Sequence, residues 1–247
     1  MIQSNFHHSI RFGDGTLENG KFKGYDTYED WHLIPSSRPT IAPPGVETKF
    51  VTIPGMDGSI DLSEFLRKDR PAFGNRAGTF DFYVANMYDD PNIHEYWMTM
   101  YPKIVNAIHG KRFKMVLWED DPDYYWEGRF TVDKHDPGNG DHSSVSISYQ
   151  VGPYKWKIRP GNDSVTWDNF NFQKDYDNGI ETGYVYGDGG VVCVDISNAG
   201  ANTELTIGTE TIPLAGRRTA RIIRPVNGKT AISLSGEGSM IWREGSL

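Results

Sequence analysis

The chain has one cysteine, no long apolar run and no excess of basic residues, and each shortage removes a class of function. Cys193 has no second thiol with which to form an intramolecular disulfide, and one cysteine does not make a metal site. Inside Val191–Ile196 it reads as a buried strand residue. No stretch approaches the roughly 20 apolar residues that a membrane helix needs. The opening MIQSNFHHSIRFGDG lacks the basic-then-apolar order of a signal peptide. A chain made and folded in a cytoplasm, with no membrane partner, is therefore expected. Formal net charge is −8, and acid exceeds base on both sides of residue 160. That excludes a basic nucleic-acid-binding module. An acidic protein can still surround DNA without gripping it, because like charge prevents adhesion.

Signatures of catalysis are also missing. There is no H-E-x-x-H, no ordered Cys/His spacing, no G-x-S-x-G and no P-loop. The histidines at 7, 8, 32, 94, 109, 135 and 142 are scattered. His135-Asp136 and Asp141-His142 bracket one loop and could meet, but solvated loop residues are the stronger reading. The acidic run Glu119–Asp123 lacks the alternating ligands, central glycine and terminal glutamate of a calcium loop. Glycosidase carboxylates come from separate elements facing one cleft, so a solvated hairpin tip is expected. Gly187-Asp188-Gly189-Gly190 reads as a turn, since no helix follows to complete a phosphate cradle. No enzyme, cofactor or metal site is expected. No internal repeat or low-complexity tract is present.

What the sequence has is punctuation and aromatics: 27 glycines, 14 prolines and 13% aromatic residues in 247. That composition suits many short strands joined by turns, in one large domain or two modest ones. Residues 1–47 are turn-rich, with Gly13-Asp14-Gly15 and Asn19-Gly20 punctuating an opening read as partly extended. Tyr28–Ile34 leads into Pro35–Pro44, whose four prolines predict an extended connector. In Thr48–Leu66, two short extended runs, Phe50–Ile53 and Ser59–Leu62, flank Pro54-Gly55-Met56-Asp57-Gly58. Pro-Gly followed by Asp-Gly is strong turn punctuation. Too polar and too short to be core, this stretch predicts a projecting hairpin or arm.

Lys68–Gly78 is basic and irregular, and Thr79–Tyr88 alternates as a half-buried strand. Asp89–Gly110 predicts the one helix, capped by Asp90, opened by Pro91 and closed by Gly110. Ile93, Tyr96, Trp97, Met100, Ile104 and Ile108 share one stripe. Pro102 lies inside it at a cost of about 3 kcal/mol and should kink it. Lys111–Trp118 and Tyr124–Val132 form a hairpin around the acidic tip, and Ser143–Val151 alternates again. Gly152–Ser164 reads as a domain exit, placing the boundary between 1–158 and 159–247. Beyond it come eight short strands: Val165–Phe172, Gly183–Tyr186, Val191–Ile196, Thr203–Ile207, Thr211–Leu214, Arg218–Ile223, Ala231–Ser235 and Ser239–Arg243. Their spacing argues a small β-sandwich. Trp118, Tyr124, Tyr125, Trp126, Tyr154 and Trp156 crowd the hairpin and the exit. Strand alternation sends half of them to the core, leaving the rest for a subunit interface or for stacking on a sugar. Arg217, Arg218, Arg221, Arg224 and Lys229 make the C-terminal part locally basic.

Several of these pieces occur together in a known order. They are Trp31-His32-Leu33-Ile34, Arg38-Pro39, Pro43-Pro44 and IPGMDGSIDLSEF (53–65). Gly74-Asn75-Arg76, Phe80-Asp81-Phe82 and a helix ending Ile108-His109-Gly110-Lys111 follow. DDPDYYWEGRF (120–130) and Gly152-Pro153-Tyr154-Lys155 complete the series. Over about 30–155 this resembles the N-terminal domain of siphophage distal tail (Dit-like) proteins. Residues 190–247, ending SGEGSMIWREGSL, are similar to the short C-terminal domains of such proteins from phages of Gram-positive bacteria.

The resemblance implies a mainly β structural protein of the virion. Its N-terminal β-sandwich would carry one helix and an arm, followed by a small galectin-like β-sandwich. It implies a hexameric ring at the tail tip, assembled in the host bacterial cytoplasm. Such a hub joins the tail tube to the tail tip, baseplate and receptor-binding proteins, and DNA passes its lumen without specific binding. It also gives the arm a task. Exposed strands leave backbone donors and acceptors unpaired unless another chain supplies partners. Ile53, Pro54, Gly55, Met56, Asp57, Gly58, Ile60 and Leu62 are the expected contact with the adjacent subunit. Met56 departs from the pattern, which often has a basic residue there. The C-terminal region is short for a galectin-like domain, favouring docking or spacing over sugar binding. The alternative is a carbohydrate-binding module adhering to wall polysaccharide through Trp167 and Trp242; a third reading is a wall-degrading enzyme using the acidic tip.

Overall fold

A computed structural model describes residues 7–18, 21–63, 72–84, 93–133, 135–136, 143–158, 180–186, 191–216, 219–223 and 229–247. The chain divides into two compact units, Met1–Pro153 and Tyr154–Leu247.

The first unit contains β1 (Ile10–Glu18), β2 (Lys21–Asp26), β3 (Leu33–Pro35), β4 (Val46–Glu47), β5 (Phe50–Thr52), β6 (Ser59–Asp61), β7 (Ala72–Phe73) and β8 (Arg76–Val84). Helix α1 (Ile93–Ile108), β9 (Arg112–Leu117), β10 (Asp121–Val132) and β11 (Ser144–Val151) follow. Seven strands join antiparallel in the order β2-β1-β9-β10-β11-β8-β3. Period-2 alternation sets which face is buried. Val145, Ile147, Tyr149 and Val151 of β11 and Phe80 and Phe82 of β8 enter one core, where Phe12, Leu33, Met115 and Phe130 join them. From α1, Trp97, Ile104 and Ile108 are buried in the same core. Gly110 ends the helix at a φ of 68°, a left-handed value that glycine adopts without a Cβ penalty. The helix runs through Pro102 without a break, and that proline is exposed. The capping residues Asp90 and Pro91 lie outside the described residues.

The opening of the chain is more ordered than its turn residues imply. β1 and β2 form a hairpin in which Gly13 faces Gly24. A Cβ on Gly13 would stand 2.0 Å from the Lys23 carbonyl oxygen, and one on Gly24 would stand 2.2 Å from that of Phe12. These glycines permit a close backbone approach inside strands.

The second unit holds β12 (Lys155–Lys157), β13 (Ile180–Tyr186), β14 (Val191–Ser197), β15 (Glu204–Ile207), β16 (Glu210–Pro213), β17 (Thr219–Ile223), β18 (Lys229–Ser235) and β19 (Ser239–Ser246). Two antiparallel sheets, β17-β14-β19-β12 and β13-β18-β15-β16, form a sandwich. Val192, Val194, Ile196, Met240 and Trp242 from the first sheet meet Leu205, Ile232 and Leu234 from the second. β12 falls in the segment read as a domain exit. The strand expected at Val165–Phe172 and the turn at 187–190 lie outside the described residues. Cys193 is on a strand as expected but only half-buried, because alternation turns Val192 and Val194 inward and Cys193 outward.

Candidate assembly surface

The proline-rich connector hands the chain to a raised excursion. Its root is a two-residue ladder in which Val46 faces Phe73 and Glu47 faces Ala72. The Gly74 N–H closes the root by donating to the Gly45 carbonyl at 2.9 Å. Beyond it, among the described residues, β5 and β6 pair only with each other, with Phe50 opposite Asp61, Val51 opposite Ile60 and Thr52 opposite Ser59. Gly55 and Gly58 both have φ of 84°, so the Pro-Gly and Asp-Gly dipeptides turn the chain as expected. The turn is closed by the Met56 N–H donating to the Ile53 carbonyl at 3.1 Å. At the open end, the Ser63 hydroxyl accepts the Lys49 N–H, and the Asp61 carboxylate accepts the Ser63 N–H. The Ser63 hydroxyl also donates to the Asp61 carboxylate, and this bond together with that from the Ser63 N–H holds the Asp61 carboxyl below its ordinary pKa.

All eight predicted contact residues sit together on this hairpin, and every residue from Gly45 to Leu62 is exposed. Phe50 is 59% exposed, Met56 44%, Ile53 41% and Ile60 39%. Alternation places Val51, Ile53, Ile60 and Leu62 on one face and Phe50, Thr52, Ser59 and Asp61 on the other. An isolated two-stranded hairpin is marginal in water, and full burial of one aliphatic side chain is worth about 1.5–3 kcal/mol. The geometry presents an aliphatic strip and strand edges that no other described strand pairs. Phe50 and Val51, read as part of the extended run but not among the expected contacts, are exposed on the same hairpin, and the root ladder was not foreseen, although Gly45 and Gly74 flank it.

The acidic tip is a structural joint. The Asp120 side chain is 7% exposed; its carboxylate accepts from Arg38 Nε at 2.5 Å and from His8 Nδ1 at 3.0 Å. The His8 N–H donates to the Glu119 carboxylate. Only Pro122 and Asp123 are exposed as a solvated tip requires. The expected solvated turn is thus corrected: two partners more than 80 residues away in sequence cover Asp120. His135 is no solvated loop residue either, since its ring stacks on Trp97 with centroids 5.1 Å apart. Asp141 and His142 lie outside the described residues. Among the described residues, no group of three His, Cys, Asp or Glu could hold a metal ion. No described helix is long and apolar enough to cross a membrane.

The clustered aromatics depart from simple alternation. Tyr125 and Trp126 are consecutive and both buried, because a bulge between Asp121 and Trp126 shifts the β9–β10 register. Arg11 lies 3.7 Å from the ring centroid of half-buried Trp118, a cation–π contact. Trp242 is buried in the sandwich core, so it offers no face to a sugar, and Trp167 lies outside the described residues. The described residues likewise exclude the side chains of the basic cluster.

These features define a two-unit, mainly β protein that lifts an uncovered hairpin clear of its core. The SPP1 Dit (gp 19.1) protein, described as a paradigm of the hub adsorption apparatus in phages infecting Gram-positive bacteria, is similar in structure. The match covers 97% of this chain and 99% of that one, with a TM-score of 0.52 and 12% sequence identity. The chain has the Dit fold, and the resemblance read from its motifs holds at that level. No family model matches the chain, and no curated protein matches it in sequence.

Proposed function

We propose that this chain is a non-enzymatic structural protein of a phage virion, the hub at the distal end of the tail. Six copies form a ring that joins the tail tube to the tip or baseplate and its receptor-binding proteins, and DNA passes through the lumen. The observation that carries this reading is the uncovered apolar hairpin, raised on its own ladder in a chain with the fold of a hub protein. A hairpin so exposed gains from a neighbouring subunit the burial its own unit does not supply. The net charge of −8 suits a lumen that DNA traverses without adhering.

Light scattering and negative-stain imaging test the proposal. The expected particle is a ring of six 27.9 kDa chains, formed by the purified protein or together with tail partners. Deleting 52–62 should weaken the ring and leave each monomer folded. A stable monomer at every concentration, with no ring even beside tail proteins, overturns the proposal.

A further inference from the structure

The connector that launches the arm has prolines at 35, 39, 43 and 44, each lacking the N–H that would tie it into a ladder. Two arginines supply the fastening. At its start, Arg38 Nε donates to Asp120 at 2.5 Å. At its end, the Ala42 carbonyl accepts from Arg76 Nη1 at 3.1 Å. The same guanidinium grips the Pro153 carbonyl with Nε at 3.0 Å and Nη2 at 2.6 Å. Arg76 is buried and directly follows the far limb of the arm root, one residue beyond the closing glycine and Asn75. It therefore touches the incoming limb through Ala42 and carries the outgoing limb in its own backbone. Among the described residues no carboxylate lies within ion-pair distance of it. A buried cation held by carbonyls alone is a costly way to fill space, and its planar fork suits bridging two separated acceptors.

We propose that Arg76, assisted by Arg38, is a positioning residue that fixes the direction of the arm by locking both limbs of its root to the body of the first unit. The aim of the arm is thereby set in the monomer, before any partner arrives. How that aim is used rests on the assembly reading; the clamp does not.

Spin labels at Asp57→Cys, on the arm tip, and Asn106→Cys, on the helix, in a Cys193→Ser background of the full chain report the aim directly. With Arg76 in place the distance distribution should be narrow. Arg76→Met, which keeps the volume and removes all three hydrogen bonds, should broaden it severalfold, and Arg38→Met should broaden it less. Arg76→Lys retains the charge without the fork and should fall between; it is the variant to read if Arg76→Met does not fold. A distribution as narrow in Arg76→Lys and Arg38→Met as in the parent overturns the clamp. Ring assembly of the same variants is the second readout, expected to need at least about tenfold more protein, the factor that loss of one charge-assisted hydrogen bond gives. A parent that never assembles, yet whose arm loosens on Arg76→Met, sinks the hub reading and leaves the clamp standing. Normal assembly from a variant whose arm has loosened refutes the idea that aim matters.

Discussion

Gly24 shows how a single missing Cβ can hold two strands at working distance. Any side chain there would drive into the Phe12 carbonyl oxygen, 2.2 Å from the ideal Cβ position, and backbone gives way less readily than a side-chain end. Gly24→Ala should cost about 1–3 kcal/mol, the usual range for overpacking, visible as a lower urea midpoint with an unchanged slope. Tyr149 is a second case. Its ring covers Gly78, its partner across the β8–β11 pair. Burial raises the phenol pKa, and the nearby Arg76 charge offsets only part of that rise. The folded pKa lies above the unfolded one, so this contribution to stability is whole below about pH 10. It is lost as pH climbs through the folded value. Tyr149→Phe should therefore flatten the alkaline fall in stability relative to the parent. Identical slopes for the two proteins above pH 10 would contradict this.

At the scale of elements, legibility followed the range of the interactions. The arm and the β11 strand were readable because turn dipeptides and alternation act within a few residues. The end of α1 was legible for the same reason, since Gly110 stands where a left-handed cap is needed. The β1–β2 hairpin was not, because Gly13 and Gly24 look like turn residues until each is seen to be opposite the other. Nor was Asp120, whose burial depends on His8 and Arg38, 112 and 82 residues away. That joint can be tested: Asp120→Ala removes the partner of both Arg38 and His8 and frees the segment around His8. A loss of about 1–3 kcal/mol in unfolding free energy is expected, smaller for Arg38→Ala because Arg38 is 69% exposed. For the arm, the two faces make opposite predictions under the assembly reading. Ile60→Asp, on the aliphatic strip, should abolish or greatly weaken ring formation. Ser59→Asp, on the other face, should not. Neither should move monomer stability by more than about 0.5 kcal/mol, as is usual for exposed sites. Equal loss of rings from both would mean that the strip is not the contacting face.

At the scale of the whole molecule, the described residues of each unit gather a hydrophobic cluster of their own. One draws on residues up to Val151 and the other begins at Val192. A unit with its own core is able to fold alone. The strand pattern alone reached the sandwich in the second unit, whereas the function did not follow from composition or charge. An acidic β protein fits many tasks; the ordered motifs pointed to one fold, and that fold is the one shared with the SPP1 protein at 12% identity. The cluster that begins at Val192 has a direct consequence for the C-terminal unit. A polypeptide of residues 154–247 should unfold in one cooperative step, and Trp242, 6% exposed, should report that step through a red shift of its fluorescence. A sandwich that needs the first unit would instead give a sloping, non-cooperative curve with emission already at the solvent-exposed maximum.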